Sequence, residues 1–361
     1  MESNTTKTLI IAEAGVNHNG SLDLAIQLVD TAASAGADIV KFQTFRASAL
    51  VTPSAPKAPY QIETTGESDP QLEMLRGLEL SAEDHVSILS HCRHRGIEFM
   101  STPFDLESLT FLDQTLDVAR IKIGSGDVTN VLLAQAAGRI GKPIILSTGM
   151  ATLEEIGLAL GALAYGNLAS ASPPSRAELE TLRHSDAAAE YLKSHVTLLH
   201  CTTAYPTPAA EVNLLAISSL REAFGLPVGY SDHTVGSVVP VGAVALGANV
   251  IEKHITLDRS LPGPDHRASI EPDELATLVA NIRIVERALG SRKKMPSPSE
   301  LQNVAAARKS LVATAPIQAG EMFTTENLGI KRPGLGRSPF DYGDCLGVAA
   351  SRNYEIDELI E

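Results

Sequence analysis

The sequence predicts an α/β fold, a (β/α)8 TIM barrel followed by a small β-rich domain. Short apolar runs recur eight times, helix-like stretches separate nearly all of them, and polar residues stand where each run ends. Apolar strands that alternate with helices are typical of a parallel sheet covered on both faces. Eight such units over roughly 280 residues fit a closed barrel better than an open sheet.

The eight predicted strands are residues 8–13, 39–45, 97–102, 119–125, 143–148, 196–202, 228–233 and 250–256. After the first strand, Leu22, Ile26 and Val29 recur at helical spacing. No GxGxxG motif follows that strand, which argues against the alternative of a Rossmann-like sheet.

Two insertions interrupt the alternation. Residues 46–80, rich in Pro, Thr, Glu and Gln, follow the second strand on the catalytic face, where long loops often act as lids. Residues 165–195 follow a helix, so we expect them on the opposite face as structural decoration. Residues 290–303 change to Lys, Arg, Pro and Ser and predict a linker between a barrel of 1–289 and a small domain of 304–361.

The amino-acid composition limits which binding partners and which cellular compartment we expect. A formal net charge of −14, from 29 basic and 43 acidic residues, argues against a nucleic-acid partner. The sequence shows neither a signal-peptide pattern nor an apolar stretch long enough to span a membrane. Cys92, Cys201 and Cys345 lack CxxC spacing and indicate reduced thiols, so we expect a cytoplasmic protein without a membrane partner.

Polar side chains stand at the end of every predicted strand, and a barrel brings those ends to one face. They are Glu13, Lys41, Gln43, Ser101, Thr102, Lys122, Ser125, Asp127, Ser147, Thr148, His200, Thr202, Tyr205, Ser231, Asp232, His233, Glu252 and His254. Any one of them has an ordinary structural explanation. Their joint placement predicts a site, because buried polar groups without partners are costly.

Two lysines, Lys41 and Lys122, fall inside the predicted barrel, where a buried ammonium group needs a counter-charge. A bound phosphate together with a carboxylate would supply it, and pairing with Glu13 and Asp127 is the simpler alternative. Further phosphate contacts are offered by the backbone of residues 124–126 and by the hydroxyls of Ser125, Ser147 and Ser231.

His233 and His254 end adjacent predicted strands, which brings two imidazoles within reach of one metal ion. Two His ligands with added oxygens suit a divalent metal, Mn2+ first, with Mg2+ or Co2+ as alternatives. Two hydrogen-bonded structural histidines explain the spacing nearly as well.

Short motifs along nearly the whole chain match a known family. They are IAEAGVNHNG, GADIVKFQTF, STPFDLES, KIGSGDVTN, ILSTGM, LLHCTTAYPTP, GYSDHT, VIEKHITLD and GPDHRASIEPDEL. This set resembles the sialic acid synthases, which make N-acetylneuraminate and related nonulosonates. Residues 55–74 resemble the bacterial branch of that family, and residues 308–339 resemble its SAF (antifreeze-like) domain. The likeness leaves out residues 165–195.

The resemblance implies a synthase that condenses phosphoenolpyruvate with an open-chain N-acylmannosamine-type sugar and releases phosphate. N-acetylneuraminate is the expected product. The alternatives are legionaminic acid, made from 2,4-diacetamido-2,4,6-trideoxymannose, and the product of a 6-phosphorylated sugar. From the residues alone, a Schiff-base aldolase using Lys41 or Lys122, or a non-catalytic binding protein, are the rival classes.

The resemblance also implies roles for individual residues. Glu13 would orient or deprotonate the attacking water, and His233 and His254 would bind the metal. Phosphoenolpyruvate would be held by Lys41, Thr102, Lys122, Ser125, Ser147 and Ser231. The sugar would be contacted by Asp127, Tyr205, Asp265 and Arg332.

One of these residues implies a partner subunit. Arg332 matches the SAF-domain arginine that reaches the active site of the neighbouring chain, so the resemblance implies a domain-swapped homodimer.

Two positions depart from the family pattern, both expected on the sugar side of the site. Asp127 stands where many bacterial members carry Glu, and Thr203 where some carry Asn.

Overall fold

The computed structural model describes residues 7–66, 69–169 and 172–361. The chain divides into two compact units, Met1–Gly290 and Ser291–Glu361, each with its own apolar core. No helix in the described ranges combines the length and the apolar character that crossing a bilayer requires. The cytoplasmic location stays a prediction.

Eight strands form the centre of the first unit, and each lies within two residues of its predicted place. They are β1 Leu9–Gly15, β2 Ile39–Thr44, β3 Glu98–Pro103, β4 Ile121–Ile123, β5 Ile144–Ser147, β6 Val196–Cys201, β7 Val228–Asp232 and β8 Val250–His254. All their pairings are parallel, in the order β3-β2-β1-β8-β7-β6-β5-β4. Because β3 and β4, at the two ends of this order, lie against each other, the sheet forms the predicted barrel.

The barrel interior is filled by an apolar layer below the strand ends. It consists of Ile11, Ile39, Met100, Ile145, Leu199 and Val250. On each of these strands the residue two positions later faces the same way, since side chains alternate along a strand. Those later residues include Glu13, Lys41 and Glu252, so the polar layer rests directly on packed aliphatic side chains.

Helices of the first unit cover the sheet. They are α1 Leu22–Ser34, α2 Ala47–Leu50, α3 Pro59–Thr65, α4 Gln71–Arg76, α5 Ala82–Arg95, α6 Leu106–Thr110 with a wider turn at Phe111–Thr115, α7 Val131–Ile140, α8 Leu153–Leu168, α9 Arg176–Leu182, α10 Asp186–His195, α11 Ala216–Phe224, α12 Val238–Ala245 and α13 Pro272–Leu289. Side-chain caps start several of them: Ser81 and Asp84 form a capping box for α5, as Thr152 and Glu155 do for α8.

The two predicted insertions form short helices. Residues 46–80 contain α2, α3 and α4, which are held to the barrel by a small apolar cluster including Phe45, Leu72 and Leu78. The stretch 165–195 begins inside α8 and contains α9 and α10, while residues 170–171 lie outside the described residues. Because α10 leads directly into β6, these helices lie at the entry side of the strands.

The second unit contains α14 Pro298–Ala307, β9 Ser310–Ala313, β10 Leu328–Lys331 and α15 Tyr342–Cys345. The strands pair antiparallel, and nine buried residues, including Phe323 and Tyr354, form its core. α14 begins inside the predicted linker 290–303, because Ser297 and Glu300 form a capping box around Pro298. Assignment of this unit as an SAF domain stays a prediction.

Candidate functional site

A cavity of about 300 Å3 lies at the carboxyl ends of the barrel strands. Most of the predicted site residues line it: Glu13, Lys41, Thr102, Lys122, Ser125, Ser147, Tyr205, Ser231, His233, His254 and Asp265. Ten residues on the strands or just beyond their ends are called the barrel floor below: Glu13, Lys41, Thr102, Lys122, Ser125, Ser147, Ser231, His233, Glu252 and His254. The structure therefore brings together the convergent site that the strand ends predict.

Of the remaining predicted sugar contacts, Asp127 lies in the first unit and Arg332 in the second. Asp127 does not line the cavity in the described part of the chain, because its carboxylate accepts a 2.9 Å hydrogen bond from Asn130, the N-cap of α7. Burial raises the pKa of Asp127. Arg332 lies exposed in the second unit, directly after β10, and its role stays a prediction.

The two buried lysines are paired with carboxylates. Lys41 Nζ lies 3.0 Å from Glu13 Oε2 and 3.5 Å from Glu252 Oε2. Lys122 Nζ lies 3.8 Å from Glu252 Oε1. The sequence offered Glu13 and Asp127 as the simpler partners of these lysines. The expectation is confirmed for Glu13 and wrong for Asp127, because the carboxylates beside the two lysines are Glu13 and Glu252. Glu252 is among the strand-end residues that predict the site, but the sequence assigned it no role, although its alternation with His254 on β8 was a usable signal.

Burial and these pairings separate the pKa values of the two floor carboxyls. Burial, reinforced by Glu252, raises the pKa of Glu13 to about 7 even though Lys41 opposes it. At Glu252 burial also favours the neutral form, but Lys122 and Lys41 outweigh it and hold its pKa below the usual range. Glu13 therefore exchanges a proton near neutral pH, while Glu252 stays ionised.

Hydroxyl groups surround the lysines. Lys41 donates to Thr102 Oγ1 at 3.1 Å, and Lys122 donates to Ser147 Oγ at 2.7 Å. Ser231 Oγ donates to Glu252 Oε1 at 2.9 Å. Two ammonium groups and several hydroxyls in one buried layer give the donor set that a phosphate or carboxylate ligand requires.

The Ser125 hydroxyl also lines the cavity, and the backbone at Gly149 passes close to it. Its Oγ accepts a 3.0 Å hydrogen bond from the Gly149 amide. A Cβ atom at Gly149 would stand 2.5 Å from Thr203 Oγ1 and 2.9 Å from Ser125 Oγ, so only glycine fits. Thr203, expected on the sugar side, therefore lies beside Ser125.

The two floor histidines lie side by side, with ring centroids 5.4 Å apart. His233 Nδ1–H donates to the Thr202 carbonyl at 2.7 Å, which leaves the Nε2 lone pair free. His254 Nδ1 is buried without a hydrogen-bond partner among the described residues, and Asp265 Oδ2 lies 3.8 Å from it. Burial lowers the pKa of both rings, so both are neutral at pH 7.

Neutral imidazoles with free lone pairs are the state that metal ligation demands. No group of three or more His, Cys, Asp and Glu side chains in the described ranges is arranged to hold a metal ion. A site built on His233 and His254 would therefore take its other ligands from water or substrate, as in open catalytic centres. The orphaned nitrogen of His254 and the carbonyl-fixed His233 fit such a two-histidine site.

The 46–80 insertion forms one side of the cavity. Its lining residues, called the insertion wall below, are Leu50, Val51, Tyr60, Gln61, Gln71, Met74, Leu75 and Leu78. The Tyr60 ring packs on the Tyr205 ring at 4.8 Å between centroids. Among the described residues of 165–195, none lines the cavity.

Fold and site together define a (β/α)8-barrel enzyme whose cavity floor carries ammonium and hydroxyl donors at the carboxyl ends of its strands. The chain belongs to the NeuB family, whose model matches residues 28–294. The resemblance to sialic acid synthases is thereby confirmed.

Relatives of known name match over nearly the full length. The N,N'-diacetyllegionaminic acid synthase of Campylobacter jejuni is 47% identical over 98% of this chain and 99% of its own. The mouse N-acetylneuraminate-9-phosphate synthase is 35% identical over 97% of this chain and 90% of its own. A crystal structure of N-acetylneuraminic acid synthetase from Leptospira borgpetersenii, in complex with citrate, is 33% identical. It matches with a TM-score of 0.67 over 84% of this chain and 94% of that one.

Proposed function

We propose that this enzyme condenses phosphoenolpyruvate with an open-chain N-acylated amino sugar, giving a nonulosonic acid and phosphate. One observation carries the proposal: two buried lysines and their neighbouring hydroxyls face a cavity beside two neutral histidines. That arrangement offers an anion site and a metal site within one enclosed volume.

The charge of the floor suits a polyanion. Lys41 and Lys122 together outweigh the ionised Glu252, because Glu13, with its pKa of about 7, is only partly ionised at neutral pH. The phosphate of phosphoenolpyruvate would bind between the two ammonium groups. Hydroxyls that would complete its hydrogen bonds are those of Thr102, Ser125, Ser147 and Ser231.

The reaction follows from the enol character of phosphoenolpyruvate. Its carbon 3 attacks the sugar aldehyde, water adds to the resulting cation at carbon 2, and the tetrahedral intermediate expels phosphate. A divalent cation, Mn2+ first, held by His233 and His254 would polarise the aldehyde. Glu13 would take the proton from the water, because a carboxyl with a pKa near 7 is matched to that task.

For the sugar we propose 2,4-diacetamido-2,4,6-trideoxymannose, giving N,N'-diacetyllegionaminic acid. The 47% identity to a synthase of that name supports it. The insertion wall supports it too, because its Met74, Leu75 and Leu78 side chains offer apolar contact to a 6-deoxy methyl group. N-acetylmannosamine, giving N-acetylneuraminate, is the second candidate.

A 6-phosphorylated sugar is disfavoured by charge. Among the described residues that line the cavity, Lys41 and Lys122 are the cationic side chains, and both already serve phosphoenolpyruvate. A second phosphate would find no further lysine or arginine among these lining residues, and Arg332 is proposed below for the N-acyl group of the sugar.

Phosphate release with phosphoenolpyruvate and each of the three sugars tests the proposal. We expect the highest kcat/KM with the diacetamido sugar, and mass spectrometry should show a nine-carbon product. Preference for N-acetylmannosamine would keep the reaction and replace the sugar. No phosphate release with any of the three would contradict the proposal.

The metal and the aldolase rival are tested by the same assay. EDTA should abolish phosphate release, and Mn2+ should restore it. A Schiff-base aldolase would instead survive EDTA and be trapped by borohydride with pyruvate. Trapped adduct on Lys122, the lysine whose pKa burial lowers, would favour the rival.

We further propose a homodimer in which Arg332 contributes to the sugar site of the partner subunit. Light scattering should give twice the mass of the chain. Arg332→Ala should raise the KM for the sugar about 10-fold and leave phosphoenolpyruvate binding unchanged, since a hydrogen bond to a substrate contributes on the order of 1–2 kcal/mol. Equal weakening of both substrates would contradict this role.

A further inference from the structure

A buried ion pair lies behind the histidines, on the outer side of the barrel strands. Asp232 and Lys253 are each 1% exposed, and Lys253 Nζ lies 2.5 Å from Asp232 Oδ2. Their neighbours Ser231, Glu252 and His254 line the cavity, so alternation turns Asp232 and Lys253 away from it. Neither takes part in the chemistry proposed above.

The pair joins the two strands that carry the histidines. Asp232 and Lys253 are direct register partners in the parallel pairing of β7 and β8. His233 and His254 follow them by one residue on each strand. The ion pair therefore ties the strands together one position below the two imidazoles.

The same pair holds the backbone beyond His233. Asp232 Oδ1 accepts hydrogen bonds from the Thr234 amide at 3.0 Å and from the Tyr230 hydroxyl at 2.9 Å. Lys253 Nζ donates to the Thr234 carbonyl. Both backbone polar groups of Thr234 are thus fixed by this pair. The His233 carbonyl accepts a hydrogen bond from the Thr207 amide at 2.8 Å.

We propose that the Asp232–Lys253 ion pair is a positioning device that fixes the β7–β8 register and aims His233 and His254 at one divalent cation. A one-residue slip of either strand would turn a histidine to the opposite face. Buried ion pairs add little net stability compared with apolar replacements, and their best-attested use is to specify register. This inference rests on the metal binding proposed above.

The test measures Mn2+ binding by calorimetry on full-length, metal-stripped protein without substrate. Asp232→Asn combined with Lys253→Met removes both charges, keeps the side-chain volumes, and leaves an acceptor for Tyr230 and Thr234. We expect Mn2+ affinity to fall about 10- to 100-fold, the usual effect of losing groups that orient metal ligands. The single variant Lys253→Arg, which keeps the charge, should retain most of the wild-type Mn2+ affinity.

A matched control replaces an ion pair of the same residue types elsewhere on the barrel. Lys142 lies 2.9 Å from Asp113, and both are partly exposed. Asp113→Asn with Lys142→Met should leave Mn2+ affinity unchanged. Urea unfolding of all variants separates a loss of affinity from a loss of folded protein.

The outcomes separate this inference from the proposed metal site. Wild-type Mn2+ affinity in the Asp232→Asn/Lys253→Met variant, with binding abolished in His233→Ala, would overturn the positioning role and leave the metal site standing. Absence of Mn2+ binding in wild-type protein would overturn both. If the double variant does not fold, Tyr230→Phe still tests the inference: it should weaken Mn2+ binding about 3-fold, and unchanged affinity there counts against the role.

Discussion

The barrel floor and the insertion wall enclose one cavity but differ in chemistry and in support. The floor is charged and hydroxylated, and its residues stand on strands above a filled aliphatic layer. The wall is largely apolar and comes from three short helices held by a small satellite cluster. This contrast assigns the reaction to the floor and the choice of sugar to the wall, since precise chemistry requires rigid support and loops vary more easily.

The largest expected effect comes from the floor histidines. His233→Ala or His254→Ala should reduce phosphate release at saturating Mn2+ at least about 1000-fold, because a Lewis acid supplies several kcal/mol of transition-state stabilisation. His94→Ala, on an exposed position of α5, is the control and should keep full activity. Substantial turnover in either floor variant would break the assignment of the metal to these residues.

A second floor variant tests the acid–base role. Glu13→Gln should lower kcat about 100- to 10,000-fold, the usual range for loss of a general base. Phosphoenolpyruvate binding should stay the same or tighten, because the substitution removes negative charge beside Lys41. Single-turnover kinetics and a binding titration measure the two effects, and a change in binding alone would remove Glu13 from the chemistry.

The sequence predicts the floor better than the wall, for a physical reason. Lys41, Lys122 and His254 lie on strands, where side-chain alternation and barrel closure fix direction once the strands are found. Spacing could not show that Glu252 bridges both lysines, because that contact depends on the curvature of the sheet. Asp127 was expected in the site for the same reason of position, but it lies in a turn whose local hydrogen bonds set its direction.

The wall depends on contacts between distant segments. Residues 46–80 predict a lid over the catalytic face, yet which side chains enter the cavity follows from packing such as that of Tyr60 on Tyr205. These residues are far apart in sequence, and their pairing has no periodicity to signal it. The Asp232–Lys253 pair likewise becomes visible only when the β7–β8 register is known.

Low pH is expected to have an intermediate effect, a loss of folding stability caused by the buried His18. His18 follows β1 and lies beside Phe42 of β2, with ring centroids 6.1 Å apart. Burial lowers its pKa from the ordinary 6.5 to about 4. Between pH 6.5 and pH 4, His18 is protonated in the unfolded chain but stays neutral in the folded protein. The free energy of unfolding therefore falls as the pH decreases from about 6.5 to 4.

Urea unfolding at pH 7 and pH 5 measures this effect. Relative to wild type, His18→Gln should gain about 2 kcal/mol in free energy of unfolding on going from pH 7 to pH 5, because only the wild type loses this contribution. Comparing the variant with wild type cancels the other buried histidines. An unchanged difference between the two proteins would show that His18 is not held neutral.

The smallest expected effect tests the wall. Met74→Gln keeps side-chain length but adds a polar group where the 6-deoxy methyl is proposed to lie. The ratio of kcat/KM for the diacetamido sugar over N-acetylmannosamine should fall about 10-fold, since one misplaced methyl contact changes discrimination by on the order of 1–3 kcal/mol. The phosphoenolpyruvate KM should not move, because its binding residues lie on the floor. Met150→Gln, 72% exposed and outside the cavity lining, is the matched control and should leave the ratio unchanged. If kcat/KM fell equally for both sugars, the insertion wall would support the cavity as a whole without contributing to sugar specificity. The assignment of sugar specificity to the wall and of the reaction to the floor would then be wrong.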